Sequence, residues 1–268
     1  MKVNFLLNSA FHLQNFRHLR RVFGKFFKDL CFPPCCCICG SSVEDDGICA
    51  ECWKKIRWIS DPKCGICGTP FEFPSQNICS DCLQKRPHFD KVVSAFTYNY
   101  FSKKIILKFK NGDCTYLAQL LANLMCCVGM QILQKSDLLI PVPMTFWKRL
   151  KRKYNQAELL CIEILKIVKN FNDNDFDKKI IYTPRLLKKI KSTHPQEGLS
   201  RKQRQINLRG AFDVEKKYVR LLKGKNVTLV DDVMTTGSTL NECAKILKKY
   251  GAKNVFAITT SRVTLIGK

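Results

Sequence analysis

The chain has no run of about 20 apolar residues, the length a helix needs to cross a bilayer, so no membrane span is expected. The apolar stretch from Phe5 to Leu7 is too short for a signal-peptide core, and no small-residue cleavage site follows it, so export is not expected. With 10 prolines and 13 glycines in 268 residues, a collagen-like or disordered chain is excluded as well. Acid is the scarcest charge: 22 Asp and Glu stand against 46 Lys and Arg, a formal net charge of +24 with a pI near 9.6. Such an excess favours polyanionic partners, whether nucleic acid, phosphorylated metabolites or an anionic membrane. No Ser-His-Asp or Cys-His pattern suited to a protein nucleophile stands out.

Cysteine is abundant instead, at 16 residues, and it is segregated from the charge. Eleven of the 16 precede residue 83, while residues 91–268 hold 34 basic and 13 acidic residues. Two differently built regions are therefore expected, meeting near residues 87 to 91. Within the first, residues 1–34 form a basic amphipathic segment. Leu19, Val22, Phe23, Phe26, Phe27 and Leu30 recur there at helical spacing among Arg20, Arg21, Lys25 and Lys28. Such a helix either packs its Phe face on the protein or lies on a membrane surface or partner.

Residues 35–90 carry four Cys-x-x-Cys knuckles: Cys36 and Cys39, Cys49 and Cys52, Cys64 and Cys67, Cys79 and Cys82. Two knuckles complete the four-sulfur shell that zinc prefers. Short intervals make sequential pairing simplest, giving one site from the first four cysteines and another from the last four; an interleaved pairing satisfies the spacing too. Cys35 could replace Cys36. Without an export signal, metal ligation is favoured over disulfides. The zinc is expected to be structural, replacing a core that some 50 residues cannot build, in a docking module. Cys114, Cys126, Cys127, Cys161 and Cys243 read as small core side chains.

From residue 91 strands alternate with helices, the pattern of a mostly parallel sheet covered on both faces. Strands are expected at 91–98, 138–142, 227–230 and 255–260, and helices at 102–108, from near 113 to 128, at 156–168 and at 239–250. The informative segment is VTLVDDVMTTGSTLNEC, residues 227–243. A buried strand runs into Asp231 and Asp232, then a loop of small hydroxyl residues around Gly237, then a helix opening on Thr239-Leu240-Asn241-Glu242, a capping box. Loop and helix amides with Thr235, Thr236, Ser238 and Thr239 suit a phosphate, and the carboxylates suit a polyol. Together they describe a phosphorylated sugar.

This segment resembles the signature of type I phosphoribosyltransferases, departing only at Thr228. The resemblance implies that Asp231 and Asp232 hold the ribose 2′ and 3′ hydroxyls of phosphoribosyl pyrophosphate (PRPP), and that Thr235, Thr236, Gly237, Ser238 and Thr239 hold its 5′-phosphate, with magnesium bound alongside. Two further segments, IPVP followed by WKRLKRKYNQAELL (140–160) and THPQEGLSRKQRQINLRGAF (193–212), together with the ribbon, resemble the competence protein F family over residues 30–262. Lys153 stands where that family has glycine. The first segment is the candidate pyrophosphate clamp, with Arg149 and Arg152 as charge partners, and the second, with Arg204, fits a flexible lid. The fold implied is a type I phosphoribosyltransferase domain over 91–268 behind a double zinc ribbon.

The resemblance implies a cytoplasmic competence factor that binds PRPP and supports uptake and handling of single-stranded DNA in natural transformation. It further implies contact with other competence proteins such as a DNA-uptake helicase or channel, while the amphipathic pattern of residues 1–30 leaves peripheral membrane contact open. The alternative is an active phosphoribosyltransferase of nucleotide metabolism or salvage without a DNA role. Residues 145–225 carry 22 basic against 8 acidic residues, with Phe146, Trp147 and Tyr154 interleaved, more charge than one phosphosugar requires.

Overall fold

The structure is a computed structural model that describes residues 34–44, 47–73, 77–110, 114–144, 154–171, 179–191 and 201–264. The amphipathic segment ahead of residue 34, the loop carrying Arg149 and Arg152, and residues 192–200 of the lid segment lie outside it. The chain divides into two compact units, one ending at Trp53 and one beginning at Lys54.

In the first unit the knuckle around Cys36 turns through amide bonds from Cys36 to Ser41 O (2.7 Å) and from Gly40 to Cys36 O (2.9 Å). A short helix, α1 (Ala50–Lys55), then carries Cys52.

The second unit opens on a similar knuckle followed by α2 (Ser80–Gln84), and continues directly into the sheet. Its strands are β1 (Lys91–Thr97), β2 (Leu138–Pro141), β3 (Ile181–Tyr182), β6 (Asn226–Met234) and β7 (Asn254–Arg262), in the order β1-β7-β6-β2-β3, all parallel. A separate antiparallel pair joins β4 (Leu187–Lys189) to β5 (Phe212–Val214). The exposed edge of β1 is blunted by the preceding segment, where Trp58 bridges Phe96 and the Ile59 amide bonds Ala95 O at 3.0 Å.

The covering helices follow from periodicity. In α3 (Tyr100–Lys110), Ser102, Ile105, Ile106 and Phe109 are buried, one side of an amphipathic helix. α4 (Leu117–Lys135) buries Leu117, Leu121, Met125, Ile132 and Leu133, each contributing roughly 1.5–3 kcal/mol by leaving water. Gly129 lets it pack closely on β7, since a Cβ there would sit 2.6 Å from the Ile258 Cδ1 and force that side chain to move. With 19 residues and a mean hydropathy of 1.4, α4 does meet the length and composition of a membrane span, correcting the expectation that no segment does; half of it is buried inside the fold. In α5 (Gln156–Lys169), Asn155 caps the start, its Oδ1 accepting from the Ala157 amide at 3.1 Å. The chain then runs through α6 (Arg201–Leu208), a 3₁₀ turn at Lys216–Tyr218, α7 (Val219–Leu222) and α8 (Ser238–Lys249).

Several expectations change. β6 extends to Met234 and so carries both aspartates within the strand. The segment read as a flexible lid contains helix α6, flanked by β4 and β5, whose Leu187, Phe212 and Val214 are buried in the main core. Of the five cysteines read as core, Cys126, Cys161 and Cys243 are buried, but Cys127 is exposed and Cys114 only part-buried.

Candidate functional site

From β2 the chain moves outward to β3, whereas from β6 it moves the other way to β7, so the strand order reverses between β2 and β6. Ligands in open α/β sheets bind outside the carboxyl ends of strands at such a reversal. Pro141 pairs with Val230 there, and the next residues along β6 are Asp231 and Asp232.

Asp231 and Asp232 stay aligned with β7 through Asp231–Thr259 and Val233–Ser261 pairing. The Thr260 hydroxyl donates to the Asp232 carbonyl. Asp231 Oδ1 accepts from the Asp232 amide at 2.9 Å. Lys110, the last residue of α3, brings its Nζ to 2.9 Å from Asp232 Oδ2, with both side chains largely shielded from water. Burial pushes the Asp231 carboxyl up to about 8, the neighbouring Asp232 adds to the rise, and the Asp232 amide and Lys110 only partly oppose it.

That displacement has a measurable consequence. Because the folded-state value lies above the ordinary 3.8, the stability this group contributes is present below about pH 4 and is lost as pH rises through about 8. Asp231→Asn should therefore raise Tm by about 5 °C at pH 8.5 and leave it unchanged near pH 4, as read by thermal melts across pH. A lower Tm at pH 8.5 would show that the ionised carboxylate is stabilised rather than strained.

Beyond Met234 the chain turns through Thr235, Thr236 and Gly237. Gly237 takes φ +75, a left-handed conformation that calls for glycine, and a Cβ on it would also meet Met234 Cε at 2.6 Å and displace the end of that side chain. Thr236 Oγ1 lies 2.8 Å from Ser238 Oγ, and the Ser238 amide leans on the same threonine hydroxyl at 3.4 Å. Helix α8 begins at Ser238 with Gly237 as its N-cap and no side-chain cap, so the expected capping box is not formed. The physical reason is the left-handed glycine: it starts the helix one residue early and places Thr239 inside the first turn. The first-turn amides, which have no intrahelical acceptors, open at the same end of the sheet as the aspartates.

The YNQ part of the 140–160 segment does not stay in the loop. Tyr154 Oη donates to Phe109 O at 2.8 Å and Gln156 Nε2 donates to Lys110 O at 3.2 Å, tying down the end of α3. Asn155 Nδ2 reaches back to Val142 O at 3.4 Å. These residues thereby fix the helix end that carries Lys110. Sequence reading missed Lys110, since nothing local marks one lysine among four on α3. Arg204 lies on α6.

The eight knuckle cysteines come together in two clusters, Cys36, Cys39, Cys49 and Cys52, and Cys64, Cys67, Cys79 and Cys82, with the sulfurs of each cluster within 4.8 Å of one another. Cys39 and Cys49 Sγ are 3.7 Å apart and Cys67 and Cys79 Sγ 3.5 Å apart, against the ~3.8 Å expected from tetrahedral Zn–S bonds of about 2.3 Å. Amides are aimed at the sulfurs, from Cys49 to Cys36 Sγ at 3.3 Å and from Cys79 to Cys64 Sγ at 3.4 Å. Burial raises the Cys64 thiol, but amides of Cys67, Cys79 and Ile66 outweigh it and bring it to about 7. A hydrogen bond with Ser41 draws Cys39 down to about 6, whereas burial pushes Cys52 up to about 12. Both clusters fit structural zinc in the sequential pairing.

The second cluster is wired into the α/β core. Cys64, Ile66, Cys67, Cys82 and Phe89 share one buried cluster with Leu229, Met234 and Leu240. The Val92 amide bonds Ile66 O at 2.7 Å. Arg262, at the end of β7, donates from Nη1 to Cys67 O at 2.6 Å and to Met234 Sδ at 3.2 Å.

Comparison with known proteins agrees with this geometry. Residues 27–83 match the double zinc ribbon domain and residues 184–262 the phosphoribosyl transferase domain. Competence protein F of Haemophilus influenzae is 33% identical over 218 residues, covering 80% of this chain and 89% of that protein. DNA utilization protein YhgH of Salmonella typhimurium is 29% identical over 233 residues (84% and 96%), and competence protein ComFC of Bacillus subtilis 24% over 229 residues (83% and 85%). With 33% identity over 218 residues, 89% of that Haemophilus protein, and with two four-cysteine clusters and a parallel sheet that carries the acid pair and the hydroxyl loop, the chain belongs to the competence protein F family.

Proposed function

We propose that the protein is a competence factor that binds PRPP with magnesium and serves the uptake and handling of single-stranded DNA. The observation that carries this reading is the placement of Asp231, Asp232 and the 235–239 loop together at the reversal of strand order. In this reading Asp231 and Asp232 accept hydrogen bonds from the ribose 2′ and 3′ hydroxyls. The loop amides, Thr235, Thr236, Ser238 and Thr239 hold the 5′-phosphate, and Lys110 sits beside the carboxylates as a fixed positive charge. Arg149, Arg152 and Arg204 are the charge partners for the pyrophosphate. Magnesium, when bound with PRPP, supplies charge neutralisation across the pyrophosphate, and paired carboxylates with a polyol are the hard oxygen donors it takes.

The names of the relatives, competence protein and DNA utilization protein, support the DNA role, as does the net basic charge. We place the protein on the cytoplasmic side, where thiols remain reduced and free to bind zinc. Calorimetry should show PRPP binding that requires magnesium, and an absence of heat with PRPP and magnesium would remove the phosphosugar reading. Release of pyrophosphate upon mixing with nucleobases would favour the rival assignment as a salvage enzyme. A transformation assay with the paired aspartates replaced, read alongside DNA internalisation, tests whether the site serves uptake: normal transformation would separate the two roles.

A further inference from the structure

Helix α3 starts directly after β1 and ends with Lys110 against Asp232, so it spans the carboxyl edge of the sheet from β1 across β7 to β6. Its apolar residues Ile105, Ile106 and Phe109 face inward and are fully buried. The opposite face is of another kind. Tyr100 is 67% exposed, and Lys103, about one turn on, and Lys108, about two turns on, are exposed as well. Lys104 Nζ stands 4.7 Å from the Tyr100 ring centroid, and Tyr100 meets Phe101 edge-on at 5.3 Å. The segment that caps the edge of β1 adds Lys55, whose Nζ lies 5.5 Å from the Phe101 centroid, and is tied there by Asn99 Nδ2 donating to Lys55 O at 3.2 Å. Neither residues 54–60 nor residues 91–112 contain any acid.

We propose that this face of α3, with Lys55 beside it, is where single-stranded DNA binds, a placement that rests on the DNA-handling reading above. An aromatic ring offered to solvent among lysines is the arrangement that sequence-tolerant single-strand binding uses: a base stacks on the ring and the phosphates meet the ammonium groups. Duplex DNA keeps its bases stacked and cannot use the ring. The strip leads to Lys110 and the aspartate pair, so a strand lying along it runs toward the phosphosugar site. A membrane surface is the poorer occupant, because the face exposes only Tyr100 and Leu107 as large apolar residues, too little to enter a lipid interface.

Fluorescence anisotropy with labelled oligothymidine across a salt series tests the surface on the full chain. Replacing Lys103, Lys104 and Lys108 together by alanine should flatten the salt dependence by about 2 in slope, roughly 0.7 for each phosphate that is no longer neutralised. Tyr100→Ala should weaken binding about tenfold, the stacking contribution of one base, and Tyr100→Phe should keep it. PRPP affinity and zinc content should be unchanged in all three, showing that the fold is intact. A triple variant that binds oligothymidine like the wild type, with the same slope, overturns the placement, and so does a Tyr100→Phe variant as weak as Tyr100→Ala. Variants that lose only affinity for anionic phosphatidylserine vesicles would hand the surface to the membrane instead. A wild-type protein that binds PRPP but no oligothymidine would overturn the DNA reading and this surface with it, while leaving the phosphosugar site standing.

Discussion

Replacing Asp231 and Asp232 together by alanine should weaken PRPP binding by roughly 10²–10⁴-fold. In the proposed reading each acid accepts from a ribose hydroxyl, and removing one partner of such a bond costs about 1–3 kcal/mol, while every 1.4 kcal/mol is a factor of ten. The two replacements act oppositely on the fold: removing the Asp231 carboxylate at neutral pH relieves it, whereas removing Asp232 leaves Lys110 without its partner. Calorimetry paired with thermal melts reads both quantities on one sample. The expected result is lost heat of binding with a cooperative melt retained, which separates loss of the acceptors from unfolding. Unchanged affinity would take the ribose away from the aspartate pair. Lys110 gives a graded companion: with its Nζ 2.9 Å from Asp232 Oδ2, its removal alters the charge of the site without removing an acceptor, so its effect should be smaller.

The second large effect separates the two cysteine clusters. Cys64→Ser with Cys82→Ser should collapse the α/β unit. Those cysteines, with Ile66, Cys67 and Phe89, pack in the same buried cluster as Leu229, Met234 and Leu240. Structural zinc contributes about 10 kcal/mol or more to the folding of small metal domains, comparable with the roughly 5–15 kcal/mol total stability of a domain. Losing it there should abolish the cooperative melt and PRPP binding together. Cys36→Ser with Cys39→Ser, whose cluster belongs to the unit ending at Trp53, should halve the zinc content from about two per chain and leave PRPP affinity within a few-fold of wild type. Metal analysis beside circular dichroism melts distinguishes the cases. Equal damage from the two variants would mean that the second cluster has no special hold on the sheet. The residue that transmits that hold is Arg262, bonded both to Cys67 O and to Met234 Sδ, with Met234 in turn filling the space a side chain on Gly237 would need.

This integration alters the meaning of the cysteine-rich region. Spacing marks four knuckles and a ribbon that reads as a docking module, because Cys-x-x-Cys chemistry is local and the residues between knuckles are few. What the sequence does not carry is that the second cluster, Cys64 to Cys82, packs in one core with Met234 and Leu240 on either side of the hydroxyl loop. That depends on β1, β7 and residues 64–68 meeting across nearly 200 positions, as in the Arg262 to Cys67 bond.

Within the α/β domain the same division holds. Strand β6, the acid pair, the glycine turn and α8 are consecutive, so hydrophobic run, carboxylates and small hydroxyl residues announce them in order. The capping box fails at this scale, because Ser238 follows a left-handed Gly237 and the helix begins before the motif that seemed to open it. Lys110 and the Tyr154-Asn155-Gln156 tie were invisible for another reason. A lysine at a helix end is unremarkable until the strand order sets it against Asp232, and Tyr154 and Gln156, at the start of a helix the periodicity does mark, show no partner in the sequence until they are seen holding the carbonyls of Phe109 and Lys110.

The amino-acid sequence by itself determined the chemistry available: eight paired thiols for zinc, two adjacent carboxylates and a hydroxyl loop for a phosphosugar, and a large basic excess. Each is a short-range pattern, legible because its members are neighbours in the chain. Only the tertiary structure decided which groups share a site. Strand order is fixed by burial of apolar surface over the whole domain, and that burial brings Lys110 at the end of α3 to Asp232 and Arg262 to the second cysteine cluster.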